Sequence, residues 1–343
     1  MTLETVVRPH VENFIAWAKD KPEVVVVTAD LTNSSEVGKW RDTYPDRYFS
    51  AGMAEQNMLG FAAGLAREGY TPYIHTFAVF IYRRAYDQLA MSVAYPNLRV
   101  RMIGFLPGIL TPGGVTHQAI EDVAILRATP NMTVLETGDA TEVESVLDVA
   151  QAVDGPVYVR MLRGVMPRLF PRSEPMRLDT ARVLSTGEDV ALITAGVETE
   201  EGLRAARALQ ARGVGVRHLH VSTHKPFDDP EVLASIAGAS RGIVTAENHV
   251  VTGGLGSAVA ERIADAGLGR RLVRVGLRDT YAHGASRAHL MREYGLDALA
   301  IVQAVERVVG EPLGIDAEEL AHTELAHTEL VPVGAASRNA DSL

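Results

Sequence analysis

Short runs of consecutive apolar, mostly β-branched residues recur along this chain, with helix-like segments between them. Runs that are apolar at every position are typical of strands buried on both faces, as in a parallel sheet covered by helices. The runs are Val24–Thr28, Leu98–Ile103, Met132–Leu135 and Val157–Val159 in the first half, and Val190–Thr194, Val216–Val221, Gly242–Ala246 and Leu272–Val275 in the second. The pattern predicts two three-layer α/β domains with mainly parallel sheets.

A stretch rich in proline and arginine separates the two halves. Pro167, Pro171 and Pro175 interrupt any helical or alternating period there. The end of the chain carries Ala-His-Thr-Glu-Leu twice and then becomes small and polar, which favours a mobile terminus over a metal site built on its histidines. The predicted parts are a first domain over 1–165, a linker over 166–182, a second domain over 183–312 and a flexible tail over 313–343.

Two helices are predicted from their composition and period. Glu55–Ala66 is apolar nearly all round, and Gly60 and Gly64 permit close backbone approach, which predicts a helix buried in the core. Glu201–Ala211 is predicted as a helix between the first two strands of the second domain.

Composition limits the classes of partner. A formal charge of −10 opposes nonspecific attraction to nucleic acid. No apolar run approaches the roughly 18 residues of a spanning helix, and the first twenty residues carry charges where a signal peptide is apolar. Cysteine is absent, which excludes disulfides, thiolate metal sites and a cysteine nucleophile. We expect a cytoplasmic protein that binds a small molecule or another protein, without nucleic acid or membrane.

The first segment with chemical potential is Gly-Met-Ala-Glu-Gln-Asn at 52–57, which opens the apolar helix. Glu55 is either a first-turn carboxylate that interacts with the helix dipole, or a desolvated carboxylate that exchanges a short hydrogen bond with a ligand nitrogen. The residues alone leave both interpretations open.

The second segment is Thr-Phe-Ala-Val-Phe at 76–80, followed by Arg83 and Arg84. If a helix begins here, Phe77 and Phe80 share a face and could stack on a flat heterocycle, although such pairs more often pack in a core. The two arginines favour a site that faces anions.

The third segment is Thr-Pro-Gly-Gly-Val-Thr-His-Gln at 111–118, followed by a pattern that predicts a buried helical stripe at positions 119, 120, 123 and 124. His117 is expected in the first turn of that helix, where the dipole disfavours imidazolium and leaves neutral imidazole for acid, base or hydrogen-bond roles. A structural histidine is the alternative.

Together and in order, these segments resemble the pyrimidine-binding domain of transketolases. The matches are 52–57, 76–80, Thr-His-Gln-Ala-Ile-Glu-Asp at 116–122 and Pro-Asn-Met-Thr-Val at 130–134. Ala-Glu-Asn-His at 246–249 and Gly-Gly-Leu-Gly-Ser-Ala-Val-Ala-Glu at 253–261 resemble the family's C-terminal domain. The resemblance extends over about residues 5 to 310.

The resemblance implies roles for individual residues. Glu55 resembles the glutamate that bonds the pyrimidine ring of thiamine diphosphate and activates it, with Met53 and Gln56 beside it in the cofactor site. Phe77 and Phe80 resemble the residues that hold that ring. His117 resembles the active-site histidine that contacts substrate. The positions expected to face substrate are Asp30, Ser34, Arg83, Phe105, Gly113, His117, Arg160 and Arg163.

The resemblance is also incomplete. Transketolases bind magnesium and the cofactor diphosphate with a Gly-Asp-Gly motif, which is absent from this sequence, so the resemblance implies a separate subunit that holds Mg²⁺ and the diphosphate. We expect an α2β2 heterotetramer. Where the family has an aspartate, a histidine and an aromatic residue, this chain has Gly113, Phe105 and Arg83. We therefore expect sugar or sugar-phosphate substrates other than the ordinary pentose-phosphate pair.

Three functions therefore stay open. The first is a two-subunit transketolase that moves a two-carbon ketol unit from a ketose to an aldehyde. The second is an enzyme that decarboxylates a 2-oxo acid and transfers an acyl unit, similar to 1-deoxyxylulose-5-phosphate synthase or the β subunit of a 2-oxo-acid dehydrogenase. The third is a noncatalytic structural subunit, against which the presence of Glu55 and His117 argues.

Overall fold

A computed structural model describes residues 3–323 and 325. The strands are β1 Thr5–Val7, β2 Val24–Thr28, β3 Tyr48–Ser50, β4 Thr71–Phe77, β5 Arg101–Phe105, β6 Thr133–Glu136, β7 Val157–Met161, β8 Val165–Pro167, β9 Arg182–Ser185, β10 Val190–Thr194, β11 Val216–His220, β12 Thr223–Lys225, β13 Gly242–Val250 and β14 Leu272–Leu277. The helices are α1 Pro9–Trp17, α2 Gly38–Thr43, α3 Glu55–Arg67, α4 Ala78–Tyr82, α5 Tyr86–Gln88, α6 Asp122–Ala128, α7 Ala140–Ala152, α8 Glu198–Ala211, α9 Pro230–Gly238, α10 Leu255–Asp265, α11 Arg287–Glu293, α12 Ala298–Val309 and α13 Ala317–Ala321.

The first sheet has seven strands in the order β12-β6-β7-β5-β4-β2-β3, all parallel except β12. Alternate side chains along β5 enter different apolar clusters. Met102 packs with Met58 of α3, whereas Ile103 packs on the other face with Phe14 of α1 and Val143 of α7. Helices therefore cover both faces, as the continuous apolar runs predict.

The second sheet has five strands in the order β14-β13-β10-β11-β9, with only β9 antiparallel. Leu192 packs toward α8 and α12, and Ile193 packs toward α9 and α10. The prediction of two three-layer α/β domains with mainly parallel sheets is confirmed. Among the described residues, no helix has both the length and the apolar character needed to cross a bilayer.

Strand β12 follows β11 in the chain but pairs with β6, so it extends the first sheet with a strand from the second half. Beside it, His224 contacts Glu136 (Nε2 to Oε2, 2.7 Å), and His220 contacts Glu142 (Nε2 to Oε2, 2.9 Å). All four side chains are buried. The two sheets are therefore joined by backbone pairing and by buried hydrogen bonds between side chains, which no period in the sequence indicates.

Helix α3 differs from the prediction of a fully buried helix. Met58 and Leu59 are buried, but Asn57, Gly60 and Phe61 are exposed on the opposite face. Of these three residues only Phe61 is large and apolar, and its ring lies edge-on to that of Phe49, with the centroids 5.4 Å apart.

The segments around the second domain are more ordered than predicted. Strand β8, at the start of the linker, pairs with β1, and Phe170 is buried. In the predicted flexible tail, α13 buries Leu320 and pairs Glu319 with Arg212, so residues 317–321 form a helix that packs on the second domain, and the flexibility of the tail stays a prediction. The second Ala-His-Thr-Glu-Leu copy and the rest of the tail lie outside the described residues.

Candidate active site

The candidate site lies where parallel strands β2, β3 and β4 end, at the edge where open α/β sheets bind ligands. Asp30 follows β2, Gly52 and Glu55 follow β3, and Phe77 ends β4. Gly52 has a φ of +68°, a conformation that favours glycine, and it turns the chain from β3 toward α3.

Glu55 is the first residue of α3 and is buried. Its Oε1 accepts a hydrogen bond from Nη1 of Arg84 at 2.8 Å, and the Arg84 side chain is 51% exposed. The positive end of the helix dipole and one exposed arginine therefore stabilise this carboxylate. Both readings of Glu55 are consistent with this geometry, since a buried carboxylate beside a displaceable donor can also serve a ligand.

Phe77 and Phe80 form a stacked pair with ring centroids 6.0 Å apart and planes inclined by 23°. Phe77 ends the strand and Phe80 lies in the helix that follows, so the two rings meet across the junction. His117 lies edge-on to both rings, at centroid distances of 6.2 Å and 5.5 Å. The Arg84 guanidinium carbon lies 4.0 Å from the Phe80 centroid. A carboxylate, two aromatic faces and an imidazole are thus brought together.

His117 does not lie in the first turn of a helix, and this part of the prediction is wrong. Gly108 donates from its backbone N–H to the carbonyl of Ala119 at 2.7 Å, which holds residue 119 in a bridge. Helix α6 consequently begins only at Asp122. His117 sits in a turn closed by its backbone N–H on the Gly114 carbonyl (2.9 Å), so the dipole argument for its neutral form does not apply.

Arg83 anchors this turn. Its Nε and Nη2 atoms pair with the two carboxylate oxygens of Glu121 at 2.6 and 2.7 Å, and Nη1 donates to the Val115 carbonyl at 2.9 Å. These contacts hold residues 115–121 in place, and contact of Arg83 with substrate stays a prediction. Gly113 lies against His117, since a Cβ at position 113 would approach the His117 Cβ to 3.1 Å.

Arg163 extends the site along its rim. Its Nη1 donates to the Ser34 carbonyl at 2.7 Å, and its guanidinium carbon lies 5.7 Å from the Phe77 centroid. Burial lowers the pKa of Arg163 slightly from its ordinary high value. Asp30 is exposed, with a φ of +58° that turns the chain at the end of β2. The structure thus groups Arg163 and Ser34 with the aromatic pair and leaves Asp30 on the same strand edge.

Two predicted substrate residues are interior residues. Phe105 is fully buried and packs edge-on against His10 at 5.7 Å. Arg160 is 1% exposed and ion-paired with Asp122 (2.9 Å) and Glu136 (2.7 Å). Both predictions of substrate contact are wrong, because the strands that carry these residues lie in the middle of the sheet.

The Arg160 cluster is a structural ion network. Burial alone would raise the pKa of Glu136, but the charge of Arg160 and the hydrogen bond from His224 outweigh it and lower that pKa to about 2. Arg160 also donates to the Asn248 carbonyl at 3.0 Å. The network therefore holds β7, β6 and the second domain together beneath the site.

The second domain supports the site loops from below. The Asn248 side chain accepts from the Ile109 N–H at 3.0 Å and donates to the Pro107 carbonyl at 3.2 Å. Gln118, next to His117, donates to the His283 carbonyl at 3.2 Å. Asn248 belongs to the Ala-Glu-Asn-His segment that the sequence singles out, but neither its partners nor the role of Arg84 could be predicted from spacing.

Met53 and Gln56 lie at the outer edge of the site. Met53 is 81% exposed and Gln56 is exposed. Met53 thus presents an apolar side chain to solvent. Their predicted place in a cofactor site depends on a surface outside this chain.

Comparisons with known proteins agree with this arrangement. The transketolase pyrimidine-binding domain family matches residues 11–168, and the transketolase C-terminal domain family matches residues 179–301. The 6-deoxy-6-sulfo-D-fructose transketolase subunit SqwH of Clostridium sp. (strain MSTE9) is 39% identical over 300 residues, which cover 87% of this chain and 92% of that protein.

A longer enzyme and a protein of known structure are also similar to this chain. The 1-deoxy-D-xylulose-5-phosphate synthase 1 of Geobacter sulfurreducens is 33% identical over 84% of this chain, but only 46% of that enzyme is covered. A solved split gene transketolase, described as an inactive β4 tetramer, has a TM-score of 0.80 and 36% identity, covering 88% of this chain and 97% of that one. The chain therefore belongs to the transketolase family and carries its pyrimidine-binding and C-terminal domains, as the split-gene members do.

Proposed function

We propose that this chain is the pyrimidine-binding subunit of a two-subunit, thiamine-diphosphate-dependent transketolase. The enzyme would transfer a two-carbon ketol unit from a ketose to an aldehyde. The observation that carries the proposal is the buried carboxylate of Glu55 beside the stacked rings of Phe77 and Phe80, with His117 edge-on to both rings.

The geometry of Arg84 supports a cofactor ring in this place. Its guanidinium is planar, donates to the Glu55 carboxylate and lies over the Phe80 ring. An aminopyrimidine is also planar and offers nitrogen to a carboxylate, so the same two contacts suit it. We infer that Glu55 and the aromatic pair would hold the aminopyrimidine of thiamine diphosphate. When bound, this cofactor supplies an electron sink for the carbanion formed on cleavage of the ketose.

The residues of this chain then take separate roles. Glu55 would exchange a proton with a ring nitrogen, and Phe77 and Phe80 would orient the ring. His117 would contact substrate oxygens and assist proton transfer, as its place beside the rings allows. Arg163, with Ser34, would face the distal end of the substrate.

The exposed face of α3 supports a separate subunit that holds the diphosphate and Mg²⁺. A Cβ added at Gly60 or Gly64 would meet nothing within 4 Å, so another helix could approach closely there. Met53, two residues before α3, is 81% exposed, and Met91 and Tyr95, in and directly after the 89–94 segment that packs on α3, are 58% and 77% exposed. So much exposed apolar surface is unusual for a free subunit.

Two relatives support the assembly. One is named a transketolase subunit, and the other is described as an inactive β4 tetramer. We propose by analogy that this chain self-associates without activity and becomes active in an α2β2 heterotetramer. The partner subunit would supply the Gly-Asp-Gly motif that binds Mg²⁺ and the diphosphate.

The donor need not be a common pentose phosphate. Most transketolases have an aspartate at the position of Gly113, where its carboxylate binds sugar hydroxyls. This chain has no carboxylate at that place beside His117. The SqwH relative is named for a sulfonated ketose, and Arg163 is a cation at the rim that could receive a terminal anion. We propose that the donor is a ketose with an anionic group, phosphate or sulfonate, at its far end. Ketoses of these two kinds are the first donors to compare.

Acyl transfer from a 2-oxo acid is the second candidate, since a 1-deoxy-D-xylulose-5-phosphate synthase shares both domains at 33% identity. The test mixes this chain with a diphosphate-binding subunit, thiamine diphosphate, Mg²⁺ and an aldose phosphate as the aldehyde acceptor, and measures consumption of ketose phosphates, sulfonated ketoses, free ketoses and pyruvate. Ketose consumption that needs both subunits supports the proposal. Turnover of pyruvate alone with release of carbon dioxide would support the second candidate instead.

A further inference from the structure

A second cluster of potential ligands lies outside the proposed cofactor site, on the second domain. His283, His289 and Glu293 place one ligand atom each within 4.8 Å of the others. In residues 3–323 and 325, no other group of three or more histidine, aspartate and glutamate side chains converges in this way. Two imidazoles and a carboxylate form a ligand set found at zinc sites that keep an open position.

The distances within the cluster suit a small ion. Oε2 of Glu293 lies 2.7 Å from Nε2 of His283 and 3.0 Å from Nε2 of His289. Ligands around one tetrahedral zinc lie roughly 3.3 Å apart, given zinc–ligand distances of about 2.0–2.1 Å. The Glu293 oxygen would therefore need to move away from the two nitrogens by about 0.3 to 0.6 Å to admit the ion.

The elements that carry the ligands also favour a site. His289 and Glu293 are four residues apart on α11, so they share one face of that helix. His283 comes from the preceding loop, and its Nδ1 lies 3.3 Å from the Gly284 carbonyl. With Nδ1 donating to that carbonyl, Nε2 would bind the ion that separates it from Glu293, and a carbonyl partner on the other nitrogen is usual for histidine ligands. All three side chains are about half exposed, so an ion could enter from solvent.

The loop that carries His283 packs directly on the loop that carries His117. The His283 carbonyl accepts from Gln118, and a Cβ at Gly284 would lie 2.6 Å from the Pro112 carbonyl. The two backbones are therefore in contact. Any ligand that ties His283 to α11 would also restrict the support beneath the 111–118 turn.

We propose that His283, His289 and Glu293 form a binding site for a zinc-class divalent ion, and that the bound ion stabilises the 111–118 turn through His283 and Gln118. Water would complete the coordination. The site is separate from the Mg²⁺ assigned above to a partner subunit, because imidazole ligands favour zinc over magnesium. It does not depend on the proposed reaction.

The test is a zinc titration of the full chain by calorimetry, in wild type and in His289→Ala and Glu293→Gln. We expect one zinc ion per chain in wild type and at least about ten-fold weaker binding in each variant. Even the loss of a group that only hydrogen-bonds to a metal ligand weakens metal binding by about that factor. The control is His322→Ala combined with His327→Ala, which removes the tail histidines and should leave the affinity unchanged.

Three outcomes overturn the site: no zinc binding below millimolar concentration, equal binding in the two variants, or loss of binding in the tail control. Mg²⁺ in hundred-fold excess should not displace zinc, and displacement would overturn the metal class.

Amide hydrogen exchange with and without zinc tests the coupling between the metal site and the 111–118 turn. We expect slower exchange in 111–118 with zinc in wild type and no change in Glu293→Gln; unchanged exchange in wild type would overturn the effect on the turn.

Discussion

Arg84 donates to the Glu55 carboxylate at 2.8 Å while its guanidinium lies over the Phe80 ring at 4.0 Å. One side chain thus makes the two contacts that the proposed aminopyrimidine would need. Arg84 must move aside if the ring binds there. Because its side chain is half exposed, that movement costs little packing.

Replacing Arg84 tests this competition. Arg84→Met removes the donor but keeps an apolar stem over Phe80. A partly exposed ion pair is worth about 0–1 kcal/mol, so we expect the thiamine diphosphate concentration for half activity to fall by up to about five-fold in the reconstituted enzyme. Arg212→Met, which breaks the surface pair with Glu319, is the matched control and should change nothing. A rise in the cofactor requirement of Arg84→Met would instead make Arg84 part of the binding site.

Arg83 is expected to act through the His117 turn. Arg83→Ala removes the paired contacts to Glu121 and the bond to the Val115 carbonyl. We expect kcat/KM for the ketose to fall about ten-fold, with faster amide exchange in residues 111–118 and little change in cofactor affinity. Glu121→Gln should reproduce part of the effect, since it weakens the same ion pair. Unchanged exchange in the turn together with a large rise in donor KM would make Arg83 a substrate contact.

Arg160 is expected to matter for stability. Removing one partner of a buried ion network costs about 3–5 kcal/mol, so Arg160→Met should lower the melting temperature of the isolated chain markedly. Arg163→Met is the comparison, because Arg163 is only partly buried and bonded to one carbonyl. We expect Arg163→Met to raise the donor KM with a small change in melting temperature. The opposite pattern for the two variants would contradict the assignment.

The buried pairs between the domains predict acid sensitivity. Burial alone would raise the pKa of Glu142, but His220 and Arg182 outweigh it and lower the pKa to about 2, below the ordinary value of 4.5. A lowered folded-state pKa stabilises the fold above about pH 4.5, and this contribution is lost as pH falls toward 2.

Melting temperatures between pH 7 and pH 2.5 measure this contribution. Glu142→Gln should melt lower than wild type at pH 7, and the gap should narrow as the pH falls below about 4.5. Asp265→Asn, which changes an exposed carboxylate at the end of α10, is the control and should show no gap that depends on pH. A gap that stays constant with pH would show that Glu142 acts through shape and not through its charge.

Much of the fold could be predicted from the sequence because buried parallel strands leave continuous apolar runs. Val24–Thr28 and Val190–Thr194 are strands with the predicted bounds. The outer face of α3 could not be predicted, because the many small and apolar residues of this helix do not show by composition alone which side meets the core. Helix α6 begins later than predicted because Ala119 forms a bridge with residues 107 and 108, and such a long-range contact cannot be predicted from local periodicity.

The candidate site was predicted in part. Phe77, Phe80 and His117 lie together, and Arg84 links Glu55 to the Phe80 ring, because short segments at strand ends define this edge of the sheet. Their roles toward a cofactor stay predictions. Phe105 and Arg160 were misplaced, because their burial depends on strand order across the sheet.

The most direct measurement of the central claim is ketose cleavage by the reconstituted two-subunit enzyme with Glu55→Gln in this chain. Glutamine keeps the size of the side chain but cannot exchange the proton, and acid–base groups typically contribute about 10²–10⁴-fold to rate. We predict a loss of at least 100-fold at saturating cofactor, with assembly unchanged by size-exclusion chromatography. Activity within a few-fold of wild type in an intact complex would contradict the account.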